Sequence, residues 1–385
     1  MNAVFYIGIF LSGFLSLLIF TKRENSSHDY ILVSWLSISA LMLFSFYYDF
    51  NYSSRSFEAI QLVAMVLPLA AAPLLYFYVC ALVKNEKFRL KRYLAHFIPF
   101  AFIGGSMLYF YFNLTDDQML KVDEGFIMMS GISAFQLKYY GMIMAFFSLI
   151  YPCLSLYLLF KHKQKIEGEF SNLNGVDMAW LRNWIILSLV GFWFSFAIIW
   201  SGSFQWIDFT TSFKSVAFMI TINIGIIGFF GLKQTSIFIS QPKVSDGSAS
   251  LKVTEQKYQN SKLDQSTSSE ILSKVTDHMT LAKPYLDTQL SLETLANQTG
   301  LGKHELSQVI NEQLGINFFT FVNQYRVQEF KNMLNDQKFA HYTILGIALE
   351  SGFNSKSTFN SIFKKLEGST PGTYKKSLME SDNMS

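Results

Sequence analysis

Little of this 385-residue chain is charged, and almost none of it is cysteine. The two cysteines, Cys80 and Cys153, both sit inside apolar runs, which leaves neither a disulfide framework nor a thiol cluster for a metal. Only 15% of residues are Asp, Glu, Lys or Arg, against roughly a quarter in an ordinary soluble domain, while 50% are hydrophobic. That balance argues against a single soluble enzyme domain. No HExxH pair, phosphate-binding glycine loop or nucleophile elbow occurs. Hence no catalytic residue, cofactor or metal ligand is expected. A net charge of +3 is too small to indicate a partner.

What the chain has instead is long apolar runs. Crossing a bilayer core of about 30 Å takes roughly 20 helical residues. Seven runs approach that length: 3–20, 30–48, 57–82, 93–112, 136–160, 180–201 and 213–232. Basic residues in short loops mark the cytoplasmic side. The loops after runs one, three and five carry ten Lys and Arg, Lys22 to Arg23, Lys84 to Arg92 and Lys161 to Lys165. Those after runs two, four and six carry only Arg55 and Lys121. The N-terminus is therefore expected outside and the C-terminus in the cytoplasm, in an inner, multi-pass membrane protein. The first run has no preceding basic residues and no small-residue cleavage site, so it reads as a span.

Few polar groups fall in the runs. Lys138, Arg182 and Lys214 read as end anchors. His96 is an intramembrane ionisable residue, hence a functional candidate, but a satisfied interhelical hydrogen bond explains it as well. Tyr and Trp gather near the outer ends beside Asp49, Asn113, Trp206 and Asp208. Such a rim could form a ligand mouth, with these four as its polar contacts, and an aromatic interface belt predicts the same composition.

From Gln241 to Ser269 the composition turns to Ser, Lys, Gln, Asp and Asn, which marks a linker with a reach on the order of 30 Å. Beyond it lies an internal repeat. Leu295 to Leu301 (LANQTGL) matches Ile347 to Phe353 (IALESGF) at a shift of 52 residues. Leu306, Val309 and Ile310 then match Phe359, Ile362 and Phe363 at a shift of 53. Each copy reads as a short helix, a glycine able to take positive φ, and a second helix, which is helix-turn-helix grammar. Helical wheels place each apolar triplet on one arc of about 100°. Lys303, His304, Ser307, Gln308 and Asn311 share the adjoining arc in the first copy. Lys356, Ser357, Asn360, Ser361 and Lys364 share it in the second, where Ser355 is placed to cap. Residues 317–335, without Gly or Pro, predict one helix about 27 Å long. A rod of that length can hold two reading helices near the 34 Å spacing of successive major grooves.

The segments Gly346-Ile347-Ala348, Gly352-Phe353-Asn354-Ser355-Lys356-Ser357, Phe363-Lys364-Lys365, Thr370-Pro371 and Tyr374 resemble the signature of the AraC family of bacterial transcription regulators. Lys283-Pro284-Tyr285-Leu286, Leu306 to Asn311 and Asn323-Gln324-Tyr325-Arg326 resemble the segments that precede it. Ala72 to Val79 and His96 to Phe100 resemble the seven-span sensor region of membrane-bound members. The resemblance implies two recognition helices entering adjacent major grooves of double-stranded DNA. It implies base-facing roles for His304, Ser307, Gln308, Lys356, Ser357, Asn360 and Ser361. Two departures stand out: Gly302 replaces a Ser-like cap, and Lys375 replaces the Arg that commonly follows Tyr374.

Charge is distributed unevenly over the repeat. Residues 269–342 hold six basic and eight acidic residues, and 343–377 hold five against two. The second copy is expected to dominate phosphate contact through Lys364, Lys365, Lys375 and Lys376. The reading is all-α: a seven-helix transmembrane sensor domain over 1–235, a flexible linker over 236–268, a DNA-binding domain over 269–380 and a tail over 381–385. Its helix-turn-helix units fall at about 291–314 and 343–366. The partners are DNA, the lipid bilayer and an unknown small-molecule or membrane signal. A homodimer follows from the mode of action and from no heptad. One alternative is a receptor or transporter whose helical tail binds a protein. Another is an intramembrane enzyme, for which no catalytic set is present.

Overall fold

A computed structural model describes residues 3–22, 25–51, 55–84, 93–113, 134–173, 178–203, 206, 209–239 and 264–382. The described residues are all-α, without a strand; one isolated antiparallel bridge pairs Phe170 with Ser291. The chain forms two compact units, residues 1–161 with 178–242, and residues 162–177 with 243–385.

The first unit contains α1 (Ala3–Phe20), α2 (Ser27–Asn51), α3 (Arg55–Lys84), α4 (Ile98–Phe112), most of α5 (Ala134–Glu167), α6 (Ala179–Ser203) and α7 (Phe209–Ile239). Phe5, Leu36, Leu43, Phe77, Leu181 and Ile224 form its centre, each fully buried. Small residues let the helices approach. A Cβ on Gly8 would strike Leu43 and Thr221, and one on Gly228 would strike Leu15. Polar groups inside pair with one another: Ser188 Oγ donates to Asn223 Oδ1 at 2.6 Å, and Lys22 Nζ lies 2.6 Å from Asp29. His96 Nδ1 lies 3.0 Å from the Tyr151 hydroxyl, in a cage with Tyr76, Phe77 and Tyr93. The interhelical hydrogen bond is thus the reading of His96 that the geometry favours.

Six described helices, α1, α2, α3, α5, α6 and α7, are long and apolar enough to cross a membrane. The seventh expected run, 93–112, instead opens as a 3-10 turn (Leu94–Phe97) and continues as the 15-residue α4. Pro99 stands in the first turn of α4, where its missing N–H and fixed φ are tolerated. Fifteen residues rise only about 22 Å.

The second unit contains α8 (Gln265–Ala282), α9 (Leu292–Thr299), α10 (Lys303–Leu314), α11 (Phe318–Asn335), α12 (Ile344–Glu350), α13 (Lys356–Glu367) and α14 (Pro371–Asp382). α11 is the helix expected over 317–335, and Asn317 caps it by accepting from the Thr320 N–H at 2.9 Å. It joins two cores. Phe318, Phe321 and Val322 pack with Leu295, Leu306, Val309 and Ile310, while Val327 and Phe330 pack with Ile347, Phe353, Phe359 and Phe363. The first described helix of this unit starts at Gln265, inside the segment read from sequence as linker.

Candidate nucleic-acid interface

Each helix pair turns on a glycine, Gly300 at φ +64° and Gly352 at φ +95°. Both sit where the repeat places them, in a region that L side chains rarely adopt. The second helices end on left-handed glycines, Gly315 and Gly368. At the start of α13, Ser355 Oγ accepts from the Thr358 N–H at 3.2 Å. α10 begins at Gly302, which has no side chain to offer; Glu305 accepts from the Gly302 N–H at 3.1 Å and supplies half of a capping box.

The apolar arcs of both helices are buried, Leu306, Val309 and Ile310 on α10, and Phe359, Ile362 and Phe363 on α13. On α13 the opposite arc is open: Lys356, Ser357, Asn360, Ser361 and Lys364 are all exposed, as is Lys365. A cavity of about 680 Å³ lies against this face, lined by Lys356, Asn360, Ser361 and Lys364 together with Thr343 and Thr370. On α14, Lys376 is exposed and lies 3.8 Å from Glu380, and Lys375 is half-buried.

α10 presents a more engaged face. His304 and Asn311 are exposed, and Ser307 and Gln308 are half-buried. Gln308 Nε2 donates to the Glu312 carboxylate at 3.1 Å, and Asn311 Nδ2 donates to the Ser307 carbonyl at 2.8 Å. Lys303 lies 3.7 Å from Glu169. Glu305 and Glu312 add negative charge to this helix, whereas α13 carries Lys364 and Lys365 in its last turn.

Beneath these helices sits a residue to which the sequence reading assigned no role. Arg326 on α11 is 2% exposed. Its Nε donates to the Tyr285 carbonyl at 2.7 Å, and Nη2 donates to the Asp287 carbonyl at 2.8 Å and to Ser171 Oγ at 3.1 Å. Nη1 donates to the Ser171 carbonyl at 3.1 Å. Burial pushes the guanidinium pKa down to about 10, against a smaller opposing pull from Asp287, so it stays charged at neutral pH. The signal was present: an Arg one turn after Val322 on an apolar helix face has to find partners. Nearby, Lys283 Nζ and the Tyr285 hydroxyl donate to Glu329, at 2.8 and 3.1 Å. Burial first, and the Glu329 charge second, raise the Tyr285 pKa above its ordinary value.

Of the four rim residues read as ligand contacts, the side chains of Asn113 and Trp206 are described. Asn113 is exposed and donates to the Tyr109 carbonyl at 2.7 Å, and Trp206 is 80% exposed. The Asp49 side chain and Asp208 lie outside the described residues.

Residues 295–377 match a family described as a helix-turn-helix domain. The probable transcription factor PqrA of Proteus vulgaris is 32% identical over 97 residues, which span 24% of this chain and 77% of that protein. The chain belongs to the AraC-type helix-turn-helix regulators. Other relatives are larger. An uncharacterised HTH-type transcriptional regulator of Staphylococcus aureus (strain COL) is 32% identical over 104 residues, 27% of this chain and only 13% of that protein. YtdP, an uncharacterised HTH-type transcriptional regulator of Bacillus subtilis, is 30% identical over 89 residues, 23% of this chain and 11% of that protein. The chain thus spans only about an eighth of the length of these larger relatives, and the family match is confined to residues 295–377. No solved structure gives a significant match.

Proposed function

We propose that the protein is a membrane-integrated transcription regulator. Its apolar half senses a signal in or outside the bilayer, and its helix-turn-helix half binds DNA sequence-specifically. The observation that carries the DNA reading is the pair of glycine-hinged helices on the single α11 rod, each with a buried apolar arc and a polar or basic arc opposite. The membrane reading rests on the six long apolar helices and on what their surfaces carry. Phe10 on α1, Tyr157 on α5, Val190 on α6 and Phe229 on α7 are each more than 60% exposed, a cost in water that lipid removes. In this reading α4 and the turn before it form a short seventh span, the basic loops face the cytoplasm, and Asp49, Asn113, Trp206 and Asp208 face outside. The double-stranded DNA is contacted by α10 and α13 in adjacent major grooves, and a homodimer binds paired sites.

Selection of bound sequences from random duplexes by the full chain in lipid nanodiscs, at two salt concentrations, tests the reading. Recovery of a motif with two elements about ten base pairs apart is expected. Sequence-indifferent retention that vanishes with salt would instead favour a tail that recognises a protein. Substitution then separates the roles. Lys364→Ala or Lys375→Ala should weaken binding to every sequence and lower the slope of log K against log salt by about 0.9, one phosphate contact. Gln308→Ala should chiefly relax base preference.

A further inference from the structure

The connection between α5 and α6 is built into the helix-turn-helix unit. Residues 162–173 fold with that unit. Phe170 pairs with Ser291, the residue that caps α9, and two backbone hydrogen bonds flank the pair. The Ser171 N–H donates to the Leu290 carbonyl at 3.2 Å, and the Leu292 N–H donates to the Glu169 carbonyl at 2.9 Å. Ser171 is 1% exposed. Its Oγ donates to the Leu290 carbonyl at 2.6 Å, and its carbonyl accepts from Asn323 Nδ2 at 3.2 Å as well as from Arg326. Arg326 therefore divides its donors between two carbonyls of the domain and the two oxygens of Ser171. A buried cation with such donors needs all of its acceptors. The cleft around Arg326 is incomplete without this segment.

The same segment reaches the first reading helix, since Glu169 lies 3.7 Å from Lys303 at the start of α10. We propose that the Arg326 cleft is a docking surface whose occupant is the segment Glu169–Ser171 of this chain, and that docking restrains DNA binding. Docked, the Glu169 carboxylate competes with a DNA phosphate for Lys303; released, Lys303 is free to contact DNA. Because the segment is continuous with α5 and α6, a change in the spans can withdraw it. The docking stands on the contacts alone, and its consequence for DNA rests on the function proposed above.

Phe170 and Ser291 form a pair without hydrogen bonds between them, for which Cα atoms lie about 4.5 Å apart, within disulfide reach. The experiment uses the full chain in nanodiscs, with Cys80→Ala and Cys153→Ala as background and Phe170→Cys with Ser291→Cys added. Mild oxidation should cross-link this pair, and should not cross-link a control pair, Phe170→Cys with Asn335→Cys at the far end of α11. The oxidised protein should bind a selected duplex about two- to fivefold more weakly than the same protein after reduction, the range expected for one partly exposed ion pair. Glu169→Gln should steepen the salt dependence by about 0.9 and should have no effect when Lys303→Gln is also present. Absence of a cross-link beyond the control overturns the docking. Equal DNA binding by oxidised and reduced forms overturns the restraint. A cross-link in a protein that selects no DNA in either form supports the docking and removes the DNA reading instead.

Discussion

Two glycines of the repeat occupy equivalent turns and carry unequal burdens. A Cβ on Gly300 would meet nothing within 4 Å, so Gly300→Ala pays only for its left-handed backbone, about 1–2 kcal/mol. A Cβ on Gly352 would strike the Tyr285 carbonyl, and would lie 3.0 Å from Leu286 Cα and 3.1 Å from Arg326 Nε. Those atoms are backbone or a fully bonded side chain, and none can swing away. Gly352→Ala should therefore destabilise the second unit by about 3 kcal/mol or more, the backbone strain and the clash together. Limited proteolysis of the two variants in parallel checks this: equal cleavage rates would show that the contact yields. Arg326→Lys adds a second test at the same place. It keeps the charge but loses the fork that reaches three backbone carbonyls, and should cost about 3 kcal/mol. The repeat alone placed both glycines at turns. Their difference depends on the segment around Tyr285, distant in sequence, and no local pattern holds that information.

At the scale of elements, α10 and α13 differ in how they begin. Ser355→Ala removes the oxygen that accepts from Thr358 and should cost about 1 kcal/mol. Gly302→Ser should do the reverse by a few tenths of a kcal/mol. Gly302 sits at φ −70° and ψ 135°, open to any residue, and a Cβ would press only on the movable end of Glu305. Hydrogen exchange at the first-turn amides of α13 and α10 should move in opposite directions in these variants. The capping difference, the buried triplets and the length of α11 were all legible, because each depends on residues within one helix of one another. The acidic bias of the first copy was legible too, and the structure gives it a form: Glu312 holds Gln308, and Glu305 accepts from the Gly302 N–H. What Glu169 and Ser171 do was not legible. They lie in a short polar connection with no periodicity, and their partners are more than a hundred positions away in the chain.

For the whole molecule, the proposed topology and the proposed docking constrain each other. Among the described helices, only α6 and α7 lie between residues 162–173 and the helix-turn-helix half, and if both cross the bilayer, segment and domain share a side whatever the helices before them do. The side of the first loop, by contrast, depends on α4. If α4 with its 3-10 turn crosses, six spans lie between Asn25 and the domain, and the two face the same compartment. If α4 does not cross, five spans separate them and they face opposite compartments. The basic residues Lys22 and Arg23 beside Asn25, like Lys161, Lys163 and Lys165, favour the first arrangement. In intact cells carrying Cys80→Ala and Cys153→Ala, an impermeant thiol reagent should therefore label Asn113→Cys and Trp206→Cys, both exposed positions. It should label Asn25→Cys and Ser377→Cys only after permeabilisation. Labelling of Asn25→Cys from outside, with Ser377→Cys still protected, would make α4 a helix that lies within or beneath the bilayer surface and reduce the spans to six. It would leave the Arg326 cleft and its occupant on the side of the DNA.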